Sequence, residues 1–211
     1  MTSGELYNEY KKTMQQIADV KYAAAVLQWD QETYLPPKGN EMRGRQIATL
    51  SEIAHNQFTH EKLGNLLSEL NEKNDLSAIE KKNVLLTTID YQRNTKLNSR
   101  FVRQLSETVN RSYHDWIKAR KKNSFKIFEK SLDELIQLKK QEADMLGYEM
   151  HPYNALMNDY DSGLTVKITD AVFSGLKPQL ISILEEIKKQ PVIDNTWMLQ
   201  YYGKDDQWKF G

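Results

Sequence analysis

Apolar residues recur at intervals of three, four and seven along nearly the whole chain, and no segment alternates apolar and polar residues as a half-buried strand does. The first stripe consists of Leu6, Tyr10, Ile17, Ala24 and Leu27. Thr2 followed by Glu5 forms a capping box, so a first helix is predicted from Thr2 to about Leu27. The spacing therefore predicts an all-α protein of seven to eight helices.

Caps and helix breakers delimit the next helices. Pro36 and Pro37 rule out a simple continuation of the first helix, because proline lacks the amide proton and restricts the residue before it. The next helix is expected over Asn40–Gln57, with Ile47, Leu50, Ile53 and Ala54 facing inward. A short helix capped by Thr59 should follow, carrying Leu63, Leu66, Leu67 and Leu70.

Two longer helices are expected after it. One runs from the Ser77–Glu80 capping box to about Lys96. The other is capped by Asn98 or Ser99 and has Phe101, Leu105, Val109, Trp116 and Ile117 along it.

The C-terminal half continues the same pattern. A helix after Ser124 should end at Gly147 in a left-handed cap. A short helical piece follows from His151–Pro152 to Asn158. Thr165 is expected to cap a long helix over Lys167–Lys189, with Pro178 inside it to kink or split it. A last turn is expected at Asp205–Asp206.

Composition excludes several kinds of protein and site. The chain has 211 residues, with 29 Lys plus Arg and 29 Asp plus Glu. A net charge of zero argues against a dedicated nucleic-acid surface. The absence of cysteine removes disulfides, thiolate zinc sites and a cysteine nucleophile. The sequence shows neither a secretory signal nor an apolar run long enough to cross a bilayer, so a cytoplasmic protein without a membrane partner is expected.

Histidine spacing does not predict a metal site. The chain has four histidines, His55, His60, His114 and His151. A helical zinc site needs two histidines at positions i and i+4, but Gly64 occupies the second position after His60, and His55 and His60 lie on different faces of a helix. Glycine-rich phosphate loops and Gly-x-Ser-x-Gly turns are also missing. No catalytic, cofactor-binding or metal-ligating residue is therefore predicted in this chain.

Three blocks of sequence carry a family resemblance. The first reads Trp29-Asp30-Gln31-Glu32-Thr33-Tyr34-Leu35-Pro36-Pro37, followed by Arg43, Gln46, Ala48 and Leu50. The second is Ala119-Arg120 with Asn123-Ser124-Phe125 and Phe128. The third is Pro152-Tyr153-Asn154-Ala155-Leu156 with Asp159-Tyr160, Gly163 and Thr165. In this order they resemble the carboxypeptidase Taq family, with Asn154 in place of an Asp and Asp161-Ser162 in place of Glu-Pro.

The resemblance implies an all-helical metallocarboxypeptidase that removes single residues from peptide C-termini. The family holds zinc or a similar divalent metal on a His-Glu-x-x-His helix with a further glutamate, and these motifs lie downstream of the matched region. Residues 1–211 are thus expected to form a single helical N-terminal region, inactive alone. They would wall or cover the substrate groove of a parent enzyme. Peptide substrate, the remainder of the parent chain and a possible second copy are the implied partners.

The first block is expected to be structural. Trp29 should plug the junction of two helices, and Asp30 or Glu32 should pair with Arg43. Direct contact of these residues with substrate stays open as the alternative. A different kind of function also stays open, a stand-alone helical interaction module that shares the scaffold without the chemistry.

Overall fold

The computed structural model describes residues 1–211 apart from the side chain of Pro37. Contacts within the chain divide it into two units, Met1–Ser162 and Gly163–Gly211, and each is described by itself. The expectation of a single helical region over residues 1–211 stays a prediction.

The described residues form helices and no strand, which confirms the all-α prediction. The first unit contains α1 (Ser3–Thr33), a 3₁₀ turn (Pro37–Gly39), α2 (Asn40–Phe58), α3 (Glu61–Asn71), α4 (Ala78–Asn94), α5 (Ser99–Lys122), α6 (Lys126–Leu146) and α7 (Tyr153–Met157). The second contains α8 (Val166–Lys189), a 3₁₀ turn (Thr196–Leu199) and α9 (Lys204–Phe210). In the part of the chain described, no helix is both long enough and apolar enough to span a bilayer.

Local capping chemistry sets most of the helix starts. Both predicted capping boxes are present, at the starts of α1 and α4. Asn98 caps α5 by accepting the amide of Phe101 at 2.9 Å. The predicted Thr59 cap was wrong. The cap of α3 is His60, whose Nδ1 accepts the amide of Lys62 at 3.1 Å, while the Thr59 hydroxyl donates back to the carbonyl of His55.

Two helices differ from the sequence expectation: α1 is longer than predicted, and α8 is not split at its proline. The α1 helix continues past Leu27 to Thr33, because nothing before Pro36 removes a backbone donor. Pro178 lies inside α8 without splitting it, since a proline removes only one of the helix's backbone hydrogen bonds. Gly147 ends α6 with a φ of 75°, in the positive region that glycine favours.

The main core of the first unit lies between the N-terminal half of α1 and helices α3 and α4. Its members are buried apolar side chains: Leu6, Tyr7, Tyr10, Ile17, Phe58, Leu63, Leu66, Leu67, Leu70, Leu76 and Val84. Helix α2 packs against α1 and α5, α5 packs against α6, and α6 packs against α7. The expected inward face of α2 is confirmed for Ile47 and Ala54, which are buried, whereas Ile53 is 40% exposed because it lies about 100° around the helix from Ala54.

Truncating Leu67 tests whether this core carries the stability of the first unit. Leu67 is 1% exposed, whereas Leu85 on the outer face of α4 is 47% exposed. We expect Leu67→Ala to lower the free energy of unfolding by about 2–4 kcal/mol, because it leaves a cavity. The matched variant Leu85→Ala should cost less than about 1 kcal/mol. Urea unfolding followed by circular dichroism measures both, and equal losses would contradict the assignment of the core.

Candidate functional site at the α1–α2 junction

Arg43 ties the end of α1 to the start of α2. Its Nη1 pairs with Asp30 Oδ2 and donates to the carbonyl of Leu27 at 3.0 Å. Its Nε donates to Gln46 Oε1 at 3.1 Å. The Arg43 side chain is only 13% exposed, so this charge is held by fixed acceptors rather than by water. The predicted pairing of Arg43 with Asp30 is confirmed.

The other two residues assigned to the junction behave differently. Glu32 accepts a hydrogen bond from Gln28 one helical turn earlier, at 2.8 Å, rather than pairing with Arg43. Trp29 is 57% exposed and meets the edge of Tyr34, with ring centres 5.5 Å apart. The prediction that Trp29 plugs the junction was wrong, because α1 continues past it and leaves it on the outer side of an unbroken helix.

A buried polar contact joins α1 to α5 beside this ion pair. Asn110 Nδ2 donates to Gln31 Oε1 at 2.6 Å, and the two residues are 9% and 7% exposed. Gly44 makes the approach of α2 to α5 possible, since a Cβ there would lie 2.7 Å from Asn110 Oδ1. Asn110 could not be identified from the sequence, because its neighbours Val109 and Arg111 give no sign that a polar residue between them is buried.

His114 lies one turn beyond Asn110 and has a defined tautomer. Asn40 Nδ2 can only donate, so His114 Nδ1 accepts this bond at 3.2 Å and the ring proton lies on Nε2. Among the described side chains, only His114 Nε2 and Gln31 Nε2 are sealed from solvent without a hydrogen-bond partner. Burial lowers the pKa of His114, and the nearby Lys118 ammonium lowers it further, while Asp115 acts in the opposite direction.

A cleft of about 530 Å³ opens between the first turn of α2 and the middle of α5. Most of its charged groups are already paired. Arg45 bonds Glu41 at 2.9 Å, Lys118 lies 3.6 Å from Asp115, and Arg111 pairs with Glu134. This arrangement supports packing and solvation more readily than it supports acid–base chemistry.

The four histidines do not form a metal site. His55 Nε2 donates to the carbonyl of Leu97 at 2.8 Å, His60 caps α3, and His151 Nδ1 accepts the amide of Tyr153. Within the described part of the chain, no group of three or more His, Cys, Asp or Glu side chains could hold an ion. The residues present therefore do not fit the metal that the family resemblance implies. That the chain carries no catalytic residue stays a prediction.

Some residues of the second and third sequence blocks also occupy structural positions. Ala119 is 7% exposed, and Asn123 ends α5 in the left-handed region with a φ of 45°. Arg93 of α4 anchors the third block by donating to the carbonyl of Ala155 at 2.6 Å and pairing with Asp159 at 2.8 Å. Arg93 was not identified from the sequence, since its partners lie more than sixty positions away.

Comparison with known proteins gives a consistent result. Residues 9–211 match the carboxypeptidase Taq (M32) metallopeptidase family. Carboxypeptidase 1 of Bacillus subtilis is 30% identical over 203 residues, which are 94% of this chain and 40% of that protein. The solved structure of BsuCP superposes with a TM-score of 0.94 at 27% identity, over 98% of this chain and 42% of its own. The structure of CHT is 46% identical in sequence, with a TM-score of 0.79. The match covers 98% of this chain and 42% of the CHT chain.

The Arg43 anchor can be tested by removing the charge of its partner. Asp30→Asn keeps the size of the side chain but leaves a nearly buried guanidinium without its counter-ion. We expect it to lower the free energy of unfolding by about 1–3 kcal/mol. Glu32→Gln is the matched control and should change it by less than about 0.5 kcal/mol. Urea unfolding compares the two, and equal stabilities would contradict the role of Asp30.

The lowered pKa of His114 predicts a pH dependence of stability. The folded protein binds a proton at this ring less readily than the unfolded chain does. The loss of folding stability that this causes is therefore absent above the ordinary histidine pKa of about 6.5 and grows as the pH falls below it. In His114→Asn, whose amide oxygen can replace Nδ1 as acceptor, we expect a smaller loss of stability between pH 7.5 and 5 than in the wild type. His151→Asn, which alters an exposed histidine, should follow the wild-type curve.

Proposed function

Because the chain belongs to the carboxypeptidase Taq (M32) metallopeptidase family, we propose that it serves as the N-terminal part of a metal-dependent carboxypeptidase that releases C-terminal amino acids from peptides. Its helices form the wall or cover of the substrate groove and hold no catalytic centre. In this proposal zinc or a similar divalent cation, and the residues that bind it, belong to a portion of the parent outside these 211 residues.

The proposal rests on the fraction of the relatives' length that this chain matches. The chain spans about two fifths of the length of Carboxypeptidase 1, although 94% of the chain takes part in the match. The same proportion holds for the solved structures. A segment that aligns along its whole length with part of a larger fold is expected to perform the structural role of that part.

The exposed apolar face of α8 supports the need for more protein. Among the described side chains of α8 none is buried. The large apolar ones, each 42–60% exposed, are Ile168, Val172, Phe173, Leu176, Leu180, Ile181, Ile183, Leu184 and Ile187. At 100° per residue they occupy about 220° of the helix circumference. A stripe of this width is typical of a helix with neighbours on several sides.

Further parts of the proposal concern partners and location. We propose that the parent acts on peptide substrates in the cytoplasm, with neither nucleic acid nor membrane as a partner. Pairing with a second copy through these helices belongs to the same proposal.

A stand-alone helical interaction module is the second candidate. The exposed apolar face of α8 favours it equally, since a partner protein could bind there. The encoding reading frame separates the two candidates. A continuation that contains His-Glu-x-x-His supports the peptidase, and a stop codon directly after Gly211 supports the module.

Peptidase assays test the proposed role. The purified 211-residue chain, supplied with Zn²⁺ or Co²⁺, should release no C-terminal amino acid from a blocked peptide. Joined to the unmatched remainder of the Bacillus subtilis carboxypeptidase, it should give release that a chelator abolishes. Metal-dependent release by the chain alone would overturn the proposal. A folded, metal-loaded but inactive chimera would favour the interaction module.

A further inference from the structure

A second cavity, separate from the α1–α2 junction, lies between α1, α2 and α5. It measures about 490 Å³, and its walls are mainly apolar, with Ala24, Ile47, Leu50, Phe58, Phe101 and Leu105 among them. Binding sites for small molecules are typically cavities of about 300–1,000 Å³ with such walls and a few well-placed polar groups. The polar groups of this cavity therefore determine which ligand it suits.

His55 provides a hydrogen-bond acceptor to the cavity. Its Nε2 donates to the Leu97 carbonyl at 2.8 Å, so the proton is on Nε2 and Nδ1 carries a lone pair. The residue is only 9% exposed and lines the cavity, and Nδ1 has no bonded partner among the described residues. Nδ1 is not among the unpartnered side-chain atoms sealed from solvent, which are Gln31 Nε2 and His114 Nε2. Solvent therefore reaches Nδ1, which belongs to a ring that lines the cavity.

The charged groups at the cavity restrict the charge of a ligand. Glu142 is 7% exposed, and its carboxylate accepts from Lys139 at 2.7 Å. The Lys139 ammonium already pairs with this carboxylate, so Glu142 offers no free counter-charge to a bound cation. An uncharged ligand needs no counter-charge.

Aromatic side chains in the wall favour an aromatic ligand. Lys21 lies over the ring of Phe58, with its Nζ 5.2 Å from the ring centre. Phe101, which is 3% exposed, supplies a second ring. A flat π-system can contact such rings and this ammonium group favourably.

We propose that this cavity binds a small uncharged aromatic molecule with a single N–H or O–H donor, of the indole or phenol class. The ring packs between α1, α2 and α5, and the donor bonds to His55 Nδ1. This binding site goes beyond the proposed peptidase function, and it rests only on residues of the first unit. Binding of the ligand at this site is non-covalent.

Comparison of indole with benzofuran tests the hydrogen bond. The two molecules have nearly the same shape, but benzofuran has a ring oxygen in place of the N–H. We expect indole to bind the intact chain with a Kd on the order of 1 mM, as suits a ligand of this size. Benzofuran should bind roughly fivefold more weakly, because one neutral hydrogen bond is lost. The ¹⁵N resonance of His55 Nδ1 should shift with indole and stay in place with benzofuran.

A pair of alanine variants tests the location. Ala25 lines the cavity and Ala23 does not, although both are exposed on α1. Ala25→Phe should fill the cavity and weaken indole binding at least roughly fivefold, whereas Ala23→Phe should leave it unchanged. Circular dichroism confirms that both variants fold. Equal affinity for indole and benzofuran, equal effects of the two variants, or no saturable binding of indole would each overturn the proposal.

Discussion

The ion pair between Arg43 and Asp30 holds the C-terminal end of α1 against α2. Helix α1 is 31 residues long, and a helix of that length can leave its C-terminal end free to diverge from its neighbours. Arg43 prevents this by bonding both the Asp30 carboxylate and the Leu27 carbonyl from the first turns of α2. With α1 and α2 joined in this way, Gly44 can approach Asn110 and α5 takes its place beside both helices.

The sequence predicted those features that depend on residues close together along the chain. The capping boxes at Thr2 and Ser77 involve groups three positions apart, so they could be identified directly. Asp30 and Glu32, both in the same sequence block, were the two predicted partners of Arg43, and Asp30 is the one that pairs with it. By contrast, the bond between Gln31 and Asn110 joins residues 79 positions apart, and nothing in either segment indicates the other. The position of Trp29 was predicted wrongly because it depended on where α1 ends.

Membership in the family does not by itself place catalytic residues in this chain. The match covers nearly the whole chain but only about two fifths of the relatives. The family match extends over residues 9–211, and each described histidine either bonds a backbone group or, at His114, accepts from an amide side chain. The match therefore identifies the scaffold, and the absence of catalytic residues from this chain stays a prediction.

The position of α8 along the chain has a consequence for synthesis. A ribosome releases the first unit before it releases Val166–Lys189. The leucine-rich core between α1, α3 and α4 can then form without waiting for later residues. The isoleucines and leucines of α8 would emerge after the first unit has already folded. While they are exposed, they are suited to recognition by a holdase chaperone, which would limit aggregation of the nascent chain.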